Sequence, residues 1–508
     1  MADPLSPDIL VIGSGMGGAS FAAGIAGLGA KVTILERGKR LADSPENRDP
    51  RAIFQRGHFR PKEMWLDHEG REFNPGNYAN VGGNTKFYGA VLIRYRREDF
   101  AEMAHEEGVS PAWPYPYETL EPWYTAAERL YEVRGDAASD PTEPPHSAPY
   151  PHPPVPDEPA IAVVRARMAA TGLRPFSLPL GIDIERWLAR AATPWDAYPN
   201  TDFGKSDAET CGLKQALLDP DVTLVTETTV TRLVAGEGGR IVAVEAVRGG
   251  ERIVYRPGLV VLAAGAVQSA ALLLESADEG HPAGIANRSD QVGRNFMNHN
   301  ATAMLAVDPR WRNTSIYQKT LGINDFYLSD GIGGPPLGNV QLLGRVTAPI
   351  LKANIGVLPE WALKPVSDRA VDWYLITEDL PDPESRISVK DGRIHLNWAR
   401  SNLGPHKRLV AAMRDRCRAA GFPIVLAKAF DRRTPSHQCG TVRLGSDPAG
   451  APVDPFGRAF DHPNLIVVDA GVLPTSAAVN PALTVAAHAL RAADHVRSTD
   501  LRSGGALT

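Results

Sequence analysis

The most regular hydrophobic pattern lies at the start of the chain. Ile9-Leu-Val-Ile12 is a continuous apolar run of strand length, followed by a glycine-punctuated turn and an alanine-rich stretch to about Ala30. A second apolar run, Lys31 to Leu35, ends in Glu36. Short uninterrupted apolar runs mark strands buried on both faces, and the stretch between them is of helical length. The pattern therefore predicts a β-α-β unit. The same signature returns at Leu259-Val-Val-Leu262, which leads through Gly265 into a leucine-rich helix, and at Leu465-Ile-Val-Val468, which ends in Asp469. These later pieces bring the chain back to the parallel sheet of the first unit.

Between them the period changes. Val222 to Val234 and Arg240 to Val247 alternate with a period near two and are separated by Gly236-Glu-Gly-Gly, which predicts a β-hairpin. Helical patterns run over Leu120 to Tyr131, His406 to Ala420 and Ala482 to Val496, the last with Asn480 as N-cap and Pro481 as first helical residue. Residues 37–80 are polar and broken by Gly and Pro, and read as a surface excursion. Prolines crowd 141–159, which predicts an extended loop serving as a linker, or as an arm or lid at a subunit or substrate entrance. The fold class is α/β: a Rossmann-like parallel sheet with helices, plus an α+β substrate domain with an antiparallel sheet. The expected layout is nucleotide domain over 1–100, 206–300 and 435–508, a cap segment over 101–205, and the substrate domain over 301–434.

Composition narrows this little. A chain of 508 residues exceeds one core, and 43% apolar with 22% charged residues is ordinary for a globular protein. A net charge of −5 gives no reason to expect nucleic acid. Cys211, Cys417 and Cys439 are odd in number and far apart, so neither a disulfide framework nor a metal site is expected, in keeping with a reducing cytoplasm. No apolar run approaches membrane-spanning length, and the N-terminus has no basic leader, so a protein free of membranes is expected.

The first unit carries the candidate chemistry. Gly13, Gly15 and Gly18 have the G-x-G-x-x-G spacing of a dinucleotide site. Gly13 allows the tight turn, Gly15 admits a pyrophosphate, and Gly18 lets helix pack on strand. The helix N-terminus offers free N–H groups to phosphates, and Glu36 can accept both ribose hydroxyls of an adenosine. An acid at position 36 argues against NADP and leaves NAD and FAD open. Gly82 and Gly83, before Asn84, suggest backbone held close to a ligand.

Four stretches together resemble one family. They are the glycine motif with Glu36, Gly82-Gly83-Asn84, Gly265-Ala-Val-Gln-Ser269, and the pair Ser436-His-Gln-Cys-Gly-Thr-Val-Arg-Leu-Gly445 and Asn480-Pro-Ala-Leu-Thr484. Over nearly its whole length the chain resembles the glucose–methanol–choline (GMC) oxidoreductases, and the last pair looks most like their pyranose and glycoside oxidase branch. The resemblance implies bound FAD, with Gly13, Gly15, Gly18 and Glu36 at its ADP half. Gly82, Gly83 and Asn84 would lie along the pyrophosphate and isoalloxazine, Val230 at adenine, and Asp469 over the pyrophosphate or ribityl chain. Pro481 to Thr484 would face the flavin from a helix N-terminus. It also implies His437 as base and Asn480 as the group that holds the substrate oxygen. Where covalent members have a histidine this chain has Phe87, which implies non-covalent FAD. The implied reaction is oxidation of an alcohol of a sugar, glycoside or aminosugar, with O2 or another acceptor taking the electrons. The branch includes oxidases of aminoglycoside antibiotic pathways, and the acidic run Thr377 to Glu384 suits either a cationic aminosugar or a solvated turn. A non-sugar alcohol dehydrogenase and a non-redox FAD-containing lyase are the alternatives. His488 is expected to be structural, and His462 to sit in a surface turn.

Overall fold

The computed structural model describes residues 5–190, 195–201, 204–434 and 437–501. Residues 1–4, Ser436 of the histidine motif and residues 502–508 lie outside the described residues. Among the described residues the central layer is a parallel sheet in the order Leu465–Val467, Leu259–Leu262, Ile9–Ile12, Val32–Leu35, Val222–Val225. Every residue of Ile9–Ile12 and of Leu259–Leu262 is buried, which is why these strands read as unbroken apolar runs. Helix Met16–Ile25 packs against the long C-terminal helix Ala482–Thr499. The approach is close: a Cβ at Gly24 would lie 2.8 Å from the Cβ of Ala493.

The alternation from Val222 to Val234 is two strands rather than one. Val222–Val225 joins the parallel sheet beside Val32–Leu35, whereas Thr228–Ala235 pairs antiparallel with Ile241–Arg248, which in turn pairs with Glu251–Tyr255. The break falls at Glu227, whose φ of 55° lies in the left-handed region. Both segments share a period of two, so periodicity alone does not separate their sheets.

A six-stranded sheet is antiparallel, in the order Ile424–Ala429, Asn300–Val307, Ala370–Thr377, Asn339–Leu342, Leu321–Ile323, Phe176–Ser177. All eight residues of Ala370–Thr377 are buried, and helix Leu403–Ala419 covers the sheet. A four-stranded mixed sheet corrects the reading of 37–80 as a surface excursion. Trp65–Asp67 and Glu72–Phe73 pair with each other, Trp65–Asp67 also pairs with Arg393–Asn397, and Trp65 and Phe73 are buried. Strands of three and two residues are too short to leave a period in the sequence.

The proline-rich segment is held on the body of the protein. Arg96 pairs with Asp140 at 2.6 Å, Arg94 donates to the Pro145 carbonyl, and Tyr150 and Val155 are buried. Two further expectations change. The acidic run divides, with Glu378 and Asp379 buried behind the strand and Pro383 and Glu384 in the exposed turn that was expected. His462 is also fully buried, its Nδ1 lying 2.6 Å from the Gly239 carbonyl. Among the described residues no helix is long and apolar enough to cross a membrane, and the three cysteines are free thiols.

Candidate active site

A cavity of about 880 Å³ runs between the parallel and antiparallel sheets, lined by Gly13, Ser14, Gly15, Glu36 and Val230 and also by His437 and Asn480. Its first part follows from the opening β-α-β unit. Gly13 turns with φ 104°, and a Cβ there would lie 2.4 Å from the Ala263 carbonyl oxygen. A Cβ at Gly18 would lie 2.1 Å from the Gly13 carbonyl oxygen, so this glycine serves helix–strand packing and does not line the cavity. Gly15 does line it, and a Cβ there would meet no protein atom within 4 Å. Helix Met16–Ile25 has no side-chain N-cap, so its first amides are left for a ligand at that end. Glu36 is buried and accepts from the Ser14 amide and hydroxyl and from the Gly38 amide. An open glycine, uncapped amides and a buried acid fit a dinucleotide.

Other residues divide in two groups. Gly83, Asn84, Phe87, Asp469 and Pro481 line the cavity. Gly82 does not; its amide donates to Ser14 Oγ and so ties the paired glycines to the first turn. Thr484 is also away from the cavity, with its hydroxyl on Tyr124. Asp469 accepts from the Gly265 amide, the Ser269 hydroxyl and the Gly471 amide, and so holds the turn of the second motif.

At the opposite end His437 and Asn480 meet. Asn480 Nδ2 lies 3.1 Å from His437 Nε2, and Asn480 Oδ1 accepts from Gln341 Nε2 at 2.8 Å. The C-terminal helix starts at Ala482, as expected, with Pro481 in the cap position and the Asn480 side chain turned to Gln341. His437 has φ 75°, a conformation that L side chains rarely adopt and that tends to mark functional positions. Its Nδ1 lies 2.7 Å from Nδ1 of His299, at the end of strand Asn300–Val307. His437 ionises well below the ordinary histidine range because burial, and then His299 and Lys319, disfavour the cation. His299 is also lowered, by burial.

Sequence reasoning passed over four residues here. Lys319 lines the cavity and pairs with Asp196 at 2.8 Å, in space left by Gly89, where a Cβ would lie 2.2 Å from Lys319 Nζ. Gln341 lies in strand Asn339–Leu342, and His299 immediately precedes strand Asn300–Val307. Their sequence signal is slight: polar residues inside or just before apolar strands, as in Asn298-His299-Asn300. His488 is buried and outside the cavity, as a structural histidine would be.

Three family models match stretches of the chain. Residues 196–301 and 393–489 match the two GMC oxidoreductase models, and residues 8–63 match the pyridine nucleotide-disulphide oxidoreductase model. The 6'''-hydroxyparomomycin C oxidase of Streptomyces lividus is 30% identical over 97% of this chain and 91% of that protein. Paromamine 6'-oxidase of Streptomyces fradiae is 28% identical over 96% and 91%. The crystal structure of pyridoxine 4-oxidase from Mesorbium loti shares the fold, with a TM-score of 0.67 at 19% identity over 97% of this chain and 99% of that one. With its α/β fold, its dinucleotide cradle and these relatives, the chain belongs to the GMC oxidoreductases and is an FAD-dependent enzyme that oxidises alcohols.

Proposed function

We propose that this enzyme oxidises a hydroxyl of a sugar, glycoside or aminosugar to a carbonyl, with His437 as the base and Asn480 as the group that holds the substrate oxygen. The observation that carries this reading is the His437–Asn480 pair facing the cavity at 3.1 Å. Oxidation removes a hydride from the carbinol carbon and a proton from its hydroxyl. Bound FAD supplies the hydride acceptor, and Gly13, Gly15, Glu36, Val230, Gly83, Asn84, Asp469 and Pro481 are the residues that would hold it non-covalently. His437 is neutral at physiological pH, because burial keeps its cation unfavourable, so one ring nitrogen has a lone pair that can take the hydroxyl proton. Asn480 Nδ2–H donates to the substrate oxygen and aims its proton at Nε2. Phe87, at the position where a histidine would make a covalent link, stacks on Tyr78 with ring centroids 3.6 Å apart.

The cavity wall also bears on the substrate. Leu305, Leu343, Val346, Ile350 and Leu351, with Phe54 and Trp195, form an apolar face of the cavity. Among the described lining residues the carboxylates are Glu36, Asp196, Glu275 and Asp469, and Asp196 is neutralised by Lys319. That wall favours a glycoside with an apolar portion. The names of two relatives favour an aminosugar instead. Anaerobic spectra of the yellow enzyme, titrated with aryl and alkyl glycosides and with paromamine-type aminosugars, separate the two. Bleaching by one class and not the other assigns it, and recovery of colour in air identifies oxygen as an acceptor. A flavin that dithionite bleaches but no sugar does would overturn the reading.

A further inference from the structure

We propose that His299 is a positioning residue that fixes His437 as its Nδ1–H tautomer, leaving the Nε2 lone pair directed at Asn480 and the substrate hydroxyl. This rests on His437 being the base. Two acceptor-only anchors lead to this assignment from opposite ends of one chain of hydrogen bonds, which reaches the cavity at His437 and Asn480.

From one end, His299 Nε2 lies 2.9 Å from both the Ser476 and Ala477 carbonyl oxygens. Carbonyls only accept, so Nε2 of His299 carries the hydrogen and its Nδ1, in the neutral ring, is an acceptor. The ring stays neutral because burial disfavours its cation. The 2.7 Å contact between the two Nδ1 atoms then requires the hydrogen on His437. From the other end, the Asp140 carboxylate, paired with Arg96, accepts from Asn324 Nδ2 at 2.6 Å. Asn324 Oδ1 accepts from Asn339 Nδ2, Asn339 Oδ1 from Gln341 Nε2, and Asn480 Oδ1 from Gln341 Nε2. Asn480 must therefore present its Nδ2–H to His437, which makes Nε2 an acceptor.

Each amide in this series is oriented by the one before, and Asn324, Asn339 and Gln341 are buried. With the opposite tautomer, two bare nitrogens would face each other at His299 and two N–H groups at Asn480. When Nε2 takes the substrate proton, Nδ1–H keeps its bond to His299 and the ring does not rotate. The network thus sets the base before substrate arrives. A tautomer error at a catalytic histidine costs about 10⁴-fold in the serine-protease precedent, so the effect expected here is large.

The test reads the tautomer directly and then functionally. In holoenzyme labelled with [15N]histidine, long-range 1H–15N spectra, with the His437 signals assigned by their loss in His437→Gln, should show a pyrrole-type Nδ1 and a pyridine-type Nε2. The substitution His299→Leu removes the acceptor and should lower the anaerobic flavin reduction rate by about 10²-fold or more, with KM little changed and FAD retained. His299→Asn, whose Oδ1 replaces the Nδ1 acceptor, should recover about tenfold or more of that loss. A pyridine-type Nδ1 at His437 would overturn the proposal, as would a His299→Leu rate within about threefold of wild type or no recovery in His299→Asn. If His299→Leu does not retain FAD, the wild-type spectrum alone decides. If His437→Gln keeps the full reduction rate, the base assignment fails whatever the tautomer.

Discussion

His437, in its left-handed backbone conformation at the cavity wall, is harder to protonate than a surface histidine, because burial disfavours its cation. Replacing it with glutamine should lower flavin reduction by about 10²- to 10⁴-fold while FAD content is unchanged, as measured by stopped flow and by the visible spectrum. The reactive form is unprotonated and its folded pKa is lowered, so the acid limb of the rate should lie below the ordinary value of 6.5. A limb at or above that value would contradict the desolvated setting. His488 provides a stability counterpart. Burial, helped by Arg491, holds its pKa at about 3 against an ordinary 6.5. The unfolded chain therefore takes up a proton first, and stability is lost as pH falls from the ordinary value toward the folded one. His488→Leu should abolish this share of the loss, worth about 2 kcal/mol between about pH 7 and pH 5, in paired denaturation curves.

Among the elements, the first β-α-β unit separates fold from ligand in two neighbouring glycines. Gly18→Ala would press its methyl into the Gly13 carbonyl at 2.1 Å and should destabilise the chain by about 1–3 kcal/mol. Gly15→Ala meets no protein atom, so apoprotein stability should hold while FAD content falls. Equal loss of stability in both variants would show that Gly15 serves packing as well. The same element scale explains which expectations changed. Long, doubly buried strands such as Ile9–Ile12 and Leu259–Leu262 were legible because their burial is written in every residue. Trp65–Asp67 was not, since three residues carry no period. The split at Glu227 was hidden because strands of two different sheets alternate alike.

Across the whole molecule, distant segments converge on buried polar links. Arg94 is fully buried, pairs with Glu128 at 2.7 Å and donates to Tyr117, Thr125 and the Pro145 carbonyl, which joins helix Tyr117–Leu130 to the proline-rich segment. Glu128→Ala would leave that guanidinium without its main counter-charge and should cost about 3–5 kcal/mol in denaturant unfolding. A change under about 1 kcal/mol would mean that the remaining partners suffice. The apolar wall is likewise an assembly of several segments, with Phe54, Leu305, Leu343 and Ile350 far apart in the chain.

The sequence by itself determined the dinucleotide unit and the family, and it singled out His437 and Asn480 as candidates. These depend on local spacing: three glycines and an acid around one turn, and a histidine and an asparagine inside short motifs. Only the tertiary structure decided that His437 and Asn480 meet, that His299 and Gln341 complete their network, and that an apolar wall stands in the same cavity. The reason is physical. A turn or a strand is specified by neighbouring residues, whereas a hydrogen bond between positions 299 and 437 exists only after distant segments of the chain have packed together.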